Sequence, residues 1–449
     1  MNTTVKEESR FSYIKHTARK FLDRETAGGL ALIAATVVAL ILGNSPWAEA
    51  YHHYLENEFL FEFPGYFSFG LTVEEWVNDG LMVIFFLVAG MELKRELMVG
   101  ELSTLRKAST PLLAALGGMI VPALIFAAFN AGEDSINGWG IPMATDIAYS
   151  LGIIGLLGKR IPVEFKVFLV ALAIADDIGA ILVIAFFYSS EVNWLFLGLG
   201  AGVFALLMVL NLLGVKRLIW FGLGGIVLWY FFLGSGIHPT IAGVLFALTI
   251  PVRPRMDSRI FRVKTRENMQ ELDYADLDHL DPIEDEKQRD VLESIQKDTK
   301  RSQPPLLRLE NHLTGFNAFF IIPVFALANA GVKLDMGLLE IVSDPLGLGI
   351  ILGLVLGKVT GISLFSYVGN KLGIAQLPES LRFTHIVGMG LIAGIGFTMS
   401  LFITNLAFTD EKMIQEAKIG ILVASMIAAV SGMVLLLWVK PKNKAALGV

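Results

Sequence analysis

Twelve runs of predominantly apolar residues, separated by short polar segments, limit what this chain can fold into. A helix needs about 20 apolar residues to cross the hydrocarbon core of a bilayer, which is roughly 30 Å thick. Such runs cross as helices because no water is available there to hydrogen-bond an open backbone. The sequence therefore predicts an all-α polytopic membrane protein with twelve transmembrane helices, at 28–43, 76–93, 111–130, 139–158, 163–189, 194–214, 217–234, 238–252, 313–331, 347–369, 385–408 and 418–439.

The distribution of lysine and arginine supports this count. Cytoplasmic loops of membrane proteins carry an excess of these residues. With the N-terminus placed inside, the inside segments hold 32 Lys and Arg residues and the outside segments hold 3. Adding or removing one helix would destroy this alternation, so we expect both termini to be cytoplasmic.

The polar segments complete the predicted organisation. An aromatic-rich stretch around Pro64-Gly65 predicts a small external β-hairpin at about 59–69. A large polar loop at 253–312 holds 26 of the 78 charged residues of the chain. We interpret this loop as a solvated spacer that is helical or disordered. The predicted domains are a cytoplasmic N-terminal segment (1–27), helices 1–8 (28–252), the charged cytoplasmic loop (253–312), helices 9–12 (313–439) and a cytoplasmic tail (440–449).

Composition excludes several functional classes. The net charge of −6 and the sequence pI of about 5.7 leave no basic surface for a nucleic-acid partner. The chain has no cysteine, which excludes disulfides, thiolate metal sites and thiol catalysis.

Four charged residues lie in the middle of apolar spans: Asp146, Asp176, Asp177 and Lys358. Placing a charged residue at the centre of a membrane helix costs ~2.5–3.5 kcal/mol of insertion free energy. Because of this cost, such residues usually mark ion and proton pathways. An Asp side chain is too short to reach the interface from mid-span, so the Asp pair indicates function. Lys358 could alternatively form a structural ion pair, and Asp146 could alternatively cap the start of a helix.

Together these residues carry a formal charge of −2. In a low-dielectric site this excess must be balanced by bound protons or by a cation. Oxygen ligands suit a hard cation, so Na⁺, Li⁺ or a proton fits. Neighbouring residues on a helix point about 100° apart. We therefore expect one of Asp176 and Asp177 to line an aqueous pocket and the other to face Lys358.

A glycine-rich stretch of the eleventh span, with Gly390 and Gly394, has two interpretations. One is close helix packing. The other is a helix that is interrupted within the membrane. The fourth span contains Thr145-Asp146 and runs opposite to the eleventh, and paired interruptions in inverted repeats are typical of a transporter's midplane site.

These segments resemble those of the NhaA-type sodium/proton antiporters, a family that is itself an example of inverted-repeat transporters. The resemblance covers nearly the whole chain, and the order of the Asp pair, Thr-Asp and mid-span Lys is highly specific. The strings that carry it are FFLVAGMELKRELMVGELSTLRKA (85–108), GGMIVPAL (117–124), IPMATDIAYSLG (141–152), ALAIADDIGAI (171–181), FALANAGV (325–332), GKVTGISLF (357–365) and GIGFTMSLFI (394–403).

The resemblance implies inverted repeats in which helices 4 and 11 are broken and cross each other. It implies that Asp176, Asp177, Thr145 and Asp146 form the ion- and proton-binding set. Within this set it places Na⁺ at Asp177 and Asp176, and Thr145 and Asp146 at the crossing. It also implies that Asp146 and Lys358 offset the facing dipole ends, and that Lys358 pairs with Asp176. The family has Pro after this lysine, whereas Val359 follows here.

Other family residues match more peripheral positions. Asp79 matches an acid near the pathway, although it could equally be a helix-end residue. Glu92, Arg95, Glu96 and Glu310 match a charged cytoplasmic cluster that governs activation by pH. Without the resemblance we would interpret these four as solvated helix-end charges. Nothing transfers to the long loop, which has no counterpart of this length.

The resemblance implies a secondary antiporter of the bacterial inner membrane. We expect electrogenic, pH-regulated export of Na⁺ or Li⁺ in exchange for protons, without a cofactor, by a homodimer joined through the hairpin. A sodium-coupled solute symporter is the alternative. We expect no enzyme activity, because an intramembrane aspartyl protease needs Tyr-Asp and Gly-x-Gly-Asp strings, which do not occur here.

Overall fold

The structure is a computed structural model, and it describes residues 26–63, 67–100, 102–189, 191–274, 286–334, 338–378 and 381–439. The predicted N-terminal segment lies almost entirely outside the described residues, and the predicted tail lies wholly outside them. The turn of the predicted hairpin also lies outside them.

The described chain is predominantly helical, with one small sheet. Its elements are α1 (Thr26–Gly43), α2 (Ala48–Glu56), β1 (Glu58–Phe63), β2 (Phe67–Thr72), α3 (Val73–Val99), α4 (Leu105–Asn130), a 3₁₀ segment (Asp134–Met143), α5 (Ile147–Leu156), a 3₁₀ turn (Gly158–Arg160), α6 (Val163–Phe187), α7 (Trp194–Leu212), α8 (Leu218–Leu233), α9 (Thr240–Thr249), α10 (Ser258–Tyr274), α11 (Glu286–Ser302), α12 (Pro305–Asn329), α13 (Leu338–Ser343), α14 (Pro345–Lys371), α15 (Phe383–Ala393), α16 (Phe397–Ala407) and α17 (Glu411–Trp438).

Within the described residues, eight helices are long and apolar enough to cross a membrane: α1, α3, α4, α6, α7, α12, α14 and α17. The pair α15–α16 qualifies as a ninth span, bent by 47° at its break. Three further apolar helices, α5, α8 and α9, are shorter. The prediction of an all-α polytopic membrane protein is therefore confirmed in this coarser form.

The predicted hairpin is present as an antiparallel pair, β1 and β2, with Glu58 opposite Thr72 and Phe63 opposite Phe67. Helix α3 begins on this side of the molecule, directly after β2. The ends of α1 and α12 lie on the same side, because Asn44, just after α1, donates to the carbonyl of Val332, just after α12, at 2.9 Å. We call it the hairpin side.

The charged loop contains more regular structure than a bare spacer. Helices α10 and α11 pack on each other, and the buried Asp298 lies 3.9 Å from Lys264 and 3.8 Å from Arg301. The next helix, α12, begins at Pro305 rather than near 313, because its first turns mix leucines with charged and polar residues and so form no continuous apolar run. We call the opposite side of the molecule, where these helices lie, the insert side.

The helices pack in two groups. Helix α14 packs on α4, α15 and α17, whereas α3 packs on α9 and α12, and α9 packs on α8. Gly117 of α4 and Gly361 of α14 allow the closest approach in the first group, because a Cβ on either would collide with the carbonyl of the other. This contact fixes α14 near the centre of its group.

Three of the long spans contain a π-helical stretch: Trp76–Leu81 in α3, Asn317–Ile321 in α12 and Gly353–Gly357 in α14. Such stretches insert one residue into a helical turn and are frequent at functional sites. The first carries Asp79, and the last directly precedes Lys358.

Candidate ion-binding site

The site begins with two breaks in apolar segments. The 3₁₀ segment ends at Met143, and the backbone is extended at Ala144 and Asp146 before α5 begins. Pro142 has no N–H to continue a helix, and Asp146 is the N-cap of α5. The second break lies at Gly394–Gly396, between α15 and α16.

The two breaks lie against each other. The Asp146 N–H donates to the Ile395 carbonyl at 2.7 Å. The Thr145 hydroxyl donates to the Ala393 carbonyl, the last of α15, at 2.9 Å. Backbone groups that the breaks leave without helical partners are therefore satisfied across the contact.

A reciprocal pair of serine hydrogen bonds joins the flanking halves. Ser150 of α5 donates to the Ile392 carbonyl of α15 at 3.1 Å. Ser400 of α16 donates to the Ile141 carbonyl of the 3₁₀ segment at 2.8 Å. In each case the second half of one segment bonds to the first half of the other.

The Asp146 carboxylate caps two helices at once. It accepts from the Tyr149 N–H at 2.8 Å, from the Thr398 N–H at 2.9 Å and from the Thr398 hydroxyl at 2.6 Å. It is 2% exposed, and it lies at the N-termini of both α5 and α16. Each N-terminus carries about half a positive charge, so together they offset one carboxylate.

Lys358 lies at the C-terminal end of the 3₁₀ segment, on the other side of the break from the N-terminus of α5. Its ammonium is fully buried and donates to Asp176 at 2.6 Å, to the Thr145 hydroxyl at 2.9 Å and to the Met143 carbonyl. The π-helical stretch before it brings Gly353 against Pro142, where a Cβ would lie 2.7 Å from the proline Cβ. This close approach lets Lys358 reach the break.

Asp176 and Asp177 have different surroundings, as expected for neighbouring residues on a helix. Asp176 forms the ion pair with Lys358, and its second carboxylate oxygen is buried without a hydrogen-bond partner. Asp177 is 5% exposed, and no hydrogen bond or ion pair joins its carboxylate to any described residue. The cluster therefore has one carboxylate with no protein partner among the described residues.

Asp79 lies apart from this cluster. It is 3.3 Å from the His238 Nε2, and its backbone carbonyl accepts from the Trp229 indole at 2.7 Å. Among the described residues, no hydrogen bond or ion pair links Asp79 to Asp176 or Asp177.

The four residues matched to the regulatory cluster form a group on the insert side. Arg95 lies 2.5 Å from Glu310 and 3.5 Å from Glu96, and it also interacts electrostatically with Glu92. Glu92 and Glu310 are buried, so these residues are not simply solvated helix-end charges. Lys94, beside them, donates to the Leu248 and Ile250 carbonyls at the end of α9.

Comparison with known proteins identifies the family. The model of the family described as Na⁺/H⁺ antiporter 1 matches residues 19–436. The chain belongs to this family. The motif resemblance is thereby confirmed, and so is a multi-pass bacterial membrane protein.

Family members of known name are similar along nearly their whole length. The Na(+)/H(+) antiporter NhaA of Christiangramia forsetii is 63% identical over 444 residues, which cover 99% of each chain. The protein of the same name from Oleidesulfovibrio alaskensis is 44% identical, and the alignment covers 93% of each chain. The one from Helicobacter pylori is also 44% identical, over 96% of this chain and 97% of the relative.

Several site residues escaped the sequence reasoning. Thr398 is one; its signal was a hydroxyl two residues after the last glycine of the break. His238 is another, at the start of an apolar span. A third feature is an amide cluster around the buried Asn329, which donates to Asn78 at 2.9 Å and accepts from Asn405 at 2.6 Å. Its members come from α3, α12 and α16, so only the fold brings them together.

Proposed function

We propose that this protein exports cytoplasmic Na⁺ or Li⁺ in exchange for external protons, by competition for one buried carboxylate, Asp177. Membership of the Na⁺/H⁺ antiporter family supports the exchange reaction. The observation that carries the site assignment is that Asp177 is buried and has no partner among the described residues.

Charge accounting supports this choice. The N-termini of α5 and α16 offset Asp146, and Lys358 offsets Asp176. The charge of Asp177 remains, and in a low-dielectric site it must be balanced by a proton or a cation. The partnerless oxygen of Asp176 and the nearby Thr145 supply further hard ligands for Na⁺.

The cycle follows from this competition. Deprotonated Asp177 binds Na⁺ from the cytoplasm, and the site then opens outward by movement of one helix group against the other. Protons from outside displace the ion and return with the site to the inside. The exchange needs no cofactor, since the ion gradients drive it. More than one proton per Na⁺ makes it electrogenic, and Asp176 is the second carboxylate available for protonation once its ion pair with Lys358 opens.

The finer architecture belongs to the same proposal. Helices α5, α8 and α9 join the nine candidate spans to make twelve, and the segments of α5 and α15–α16 are the broken helices that cross. The reciprocal serine bonds support inverted repeats, because each is the counterpart of the other under a near-twofold relation. The hairpin side is then external, the insert side and both termini are cytoplasmic, and hairpins join two copies.

The ion pair between the partly buried Arg95 and the buried Glu310 supports a regulatory role for the insert-side group. It links α3, which carries Asp79, to α12, which carries one member of the amide cluster. A change of protonation in this group would therefore act on both helices at once.

Reconstitution tests the proposal. Purified protein in liposomes containing a pH-sensitive dye is exposed to Na⁺, Li⁺ or K⁺ in turn. We expect Na⁺- and Li⁺-driven proton movement in the wild type and none with Asp177→Asn. The matched control is Asp134→Asn, an exposed aspartate at the start of the 3₁₀ segment, which should exchange normally. Full exchange by Asp177→Asn would disprove the assignment.

The alternative, sodium-coupled solute symport, finds no support, because the relatives are named antiporters. The same liposomes test it, since a symporter would move Na⁺ only when an organic solute is added.

A further inference from the structure

A groove on the membrane-spanning surface has no role in the exchange cycle. It lies between α3, α8 and α9 and has a volume of about 700 Å³. Trp76 and Gly80 line it from α3, Gly225 and Trp229 from α8, and Phe246 from α9. Among the described residues that line it, none has a charged, hydroxyl or amide side chain.

The groove opens toward the lipid. Two lining residues at its mouth are strongly exposed: Ile226 by 63% and Phe320 by 47%. Along α3 the lining runs from Val73 to Leu87, which at 1.5 Å per residue is about 21 Å, more than half of the hydrocarbon core. The groove is thus continuous with the surface that this membrane protein presents to the bilayer.

Such a groove is unfavourable both when it is filled with water and when it is empty. Ordered water needs two to four polar partners, and the lining provides none beyond the two indoles. An empty groove would forfeit dispersion contacts along all its walls. Within the bilayer, the apolar groups of suitable length at this depth are the acyl chains of phospholipids.

We propose that this groove binds one acyl chain of a phospholipid whose headgroup lies on the hairpin side. The chain lies against Trp76 and Trp229, whose ring centroids are 5.9 Å apart. The narrow positions are glycines, and a Cβ on Gly225 would lie 3.0 Å from the Phe246 ring. Small residues on two of the helices therefore keep the groove wide enough for a chain.

The bound chain acts on the candidate pathway through one contact. Trp229 forms a groove wall and also donates its indole N–H to the Asp79 carbonyl at 2.7 Å. Asp79 lies in the π-helical stretch that Trp76 begins, and its carboxylate faces His238. A chain packed on both indoles therefore steadies the turn that positions Asp79. This effect on transport rests on the proposed antiport; the binding itself does not.

Fluorescence quenching tests the binding. The chain has seven tryptophans, so replacing the five other than Trp76 and Trp229 by phenylalanine leaves the groove pair as the only indole emitters. The protein is reconstituted into phosphatidylglycerol and phosphatidylethanolamine that carry brominated chains, which quench on contact. We expect strong quenching of the pair.

A groove-filling variant gives the decisive comparison. A Cβ on Gly222 of α8, which lines the groove, meets nothing within 4 Å, so the side chain of Gly222→Phe starts without a clash at a position beside the space. The matched control is Gly198→Phe on α7, which is equally unobstructed but does not line the groove. We expect quenching to fall by at least half in Gly222→Phe and to stay unchanged in Gly198→Phe, with slower antiport only in the former.

Three results would overturn the proposal. The first is weak quenching in the two-tryptophan protein, and the second is equal quenching when Gly222→Phe is added to it. The third is quenching that rises only when the protein is diluted in lipid, which would mean that a second copy covers the groove. Adding Asp177→Asn separates the two hypotheses, because quenching should persist in a variant that cannot transport.

Discussion

The ion pair between Lys358 and Asp176 allows a quantitative test of the site. Lys358→Met removes three hydrogen bonds and leaves the Asp176 carboxylate 1% exposed without a counter-charge. Breaking one partner of a buried pair costs about 3–5 kcal/mol. Asp176→Asn should cost less, because the Met143 carbonyl and Thr145 still bind the ammonium.

The double variant should recover most of this loss, since a neutral Met–Asn pair leaves no buried charge. We expect a coupling free energy of at least about 2 kcal/mol, within the range for residues in direct contact. Melting midpoints of the purified protein in detergent should fall in the order wild type, double variant close below it, Asp176→Asn, then Lys358→Met.

A second lysine, which is partly buried, supplies the control. Lys94 is held by the Leu248 and Ile250 carbonyls at 2.6 and 2.7 Å and has no acidic partner in an ion pair among the described residues. Lys94→Met combined with Asp176→Asn should lower the midpoint additively. If Lys358→Met and Asp176→Asn are also additive, the pair does not hold the site together and the charge accounting fails.

Three further predictions concern contacts that only the fold reveals. Thr398→Val removes a 2.6 Å hydrogen bond to the Asp146 carboxylate and should lower the free energy of unfolding by about 1.5–3 kcal/mol. Thr398→Ser keeps the hydroxyl and should melt like the wild type; equal melting midpoints for the two variants would contradict this. Asn405→Leu removes the 2.6 Å hydrogen bond that joins α16 to α12 near the buried Thr404. We expect the two helices to separate more readily, so a cysteine introduced at Thr404 should react faster with a maleimide added from the hairpin side; an unchanged rate would show that the amide cluster does not hold them together. Burial raises the pKa of Tyr188, just beyond α6, to about 12 from its ordinary value of 10. Its neutral hydroxyl donates to the Asn137 carbonyl at 2.7 Å, so Tyr188→Phe should lose about 0.5–1.5 kcal/mol of stability. Because the folded-state pKa is raised, this difference should be full below pH 10 and vanish as the pH rises through about 12; a constant difference in chemical denaturation would refute it.

The sequence by itself determined the class of the protein and most of the chemistry offered to the site. Hydropathy and charge act locally, because each apolar run must satisfy the bilayer on its own. The runs, the hairpin strands and the isolated charges could therefore be recognised without knowing any contact. Spacing also required Asp176 and Asp177 to face different ways.

Only the tertiary structure decided which group meets which. It selected Asp176 as the partner of Lys358, 182 residues away, and paired Asp146 with Thr398, 252 residues away. It also placed Asn78, Asn329 and Asn405 in one cluster. Such pairings depend on how helices pack at their breaks and glycines, and neither propensity nor hydropathy contains that information.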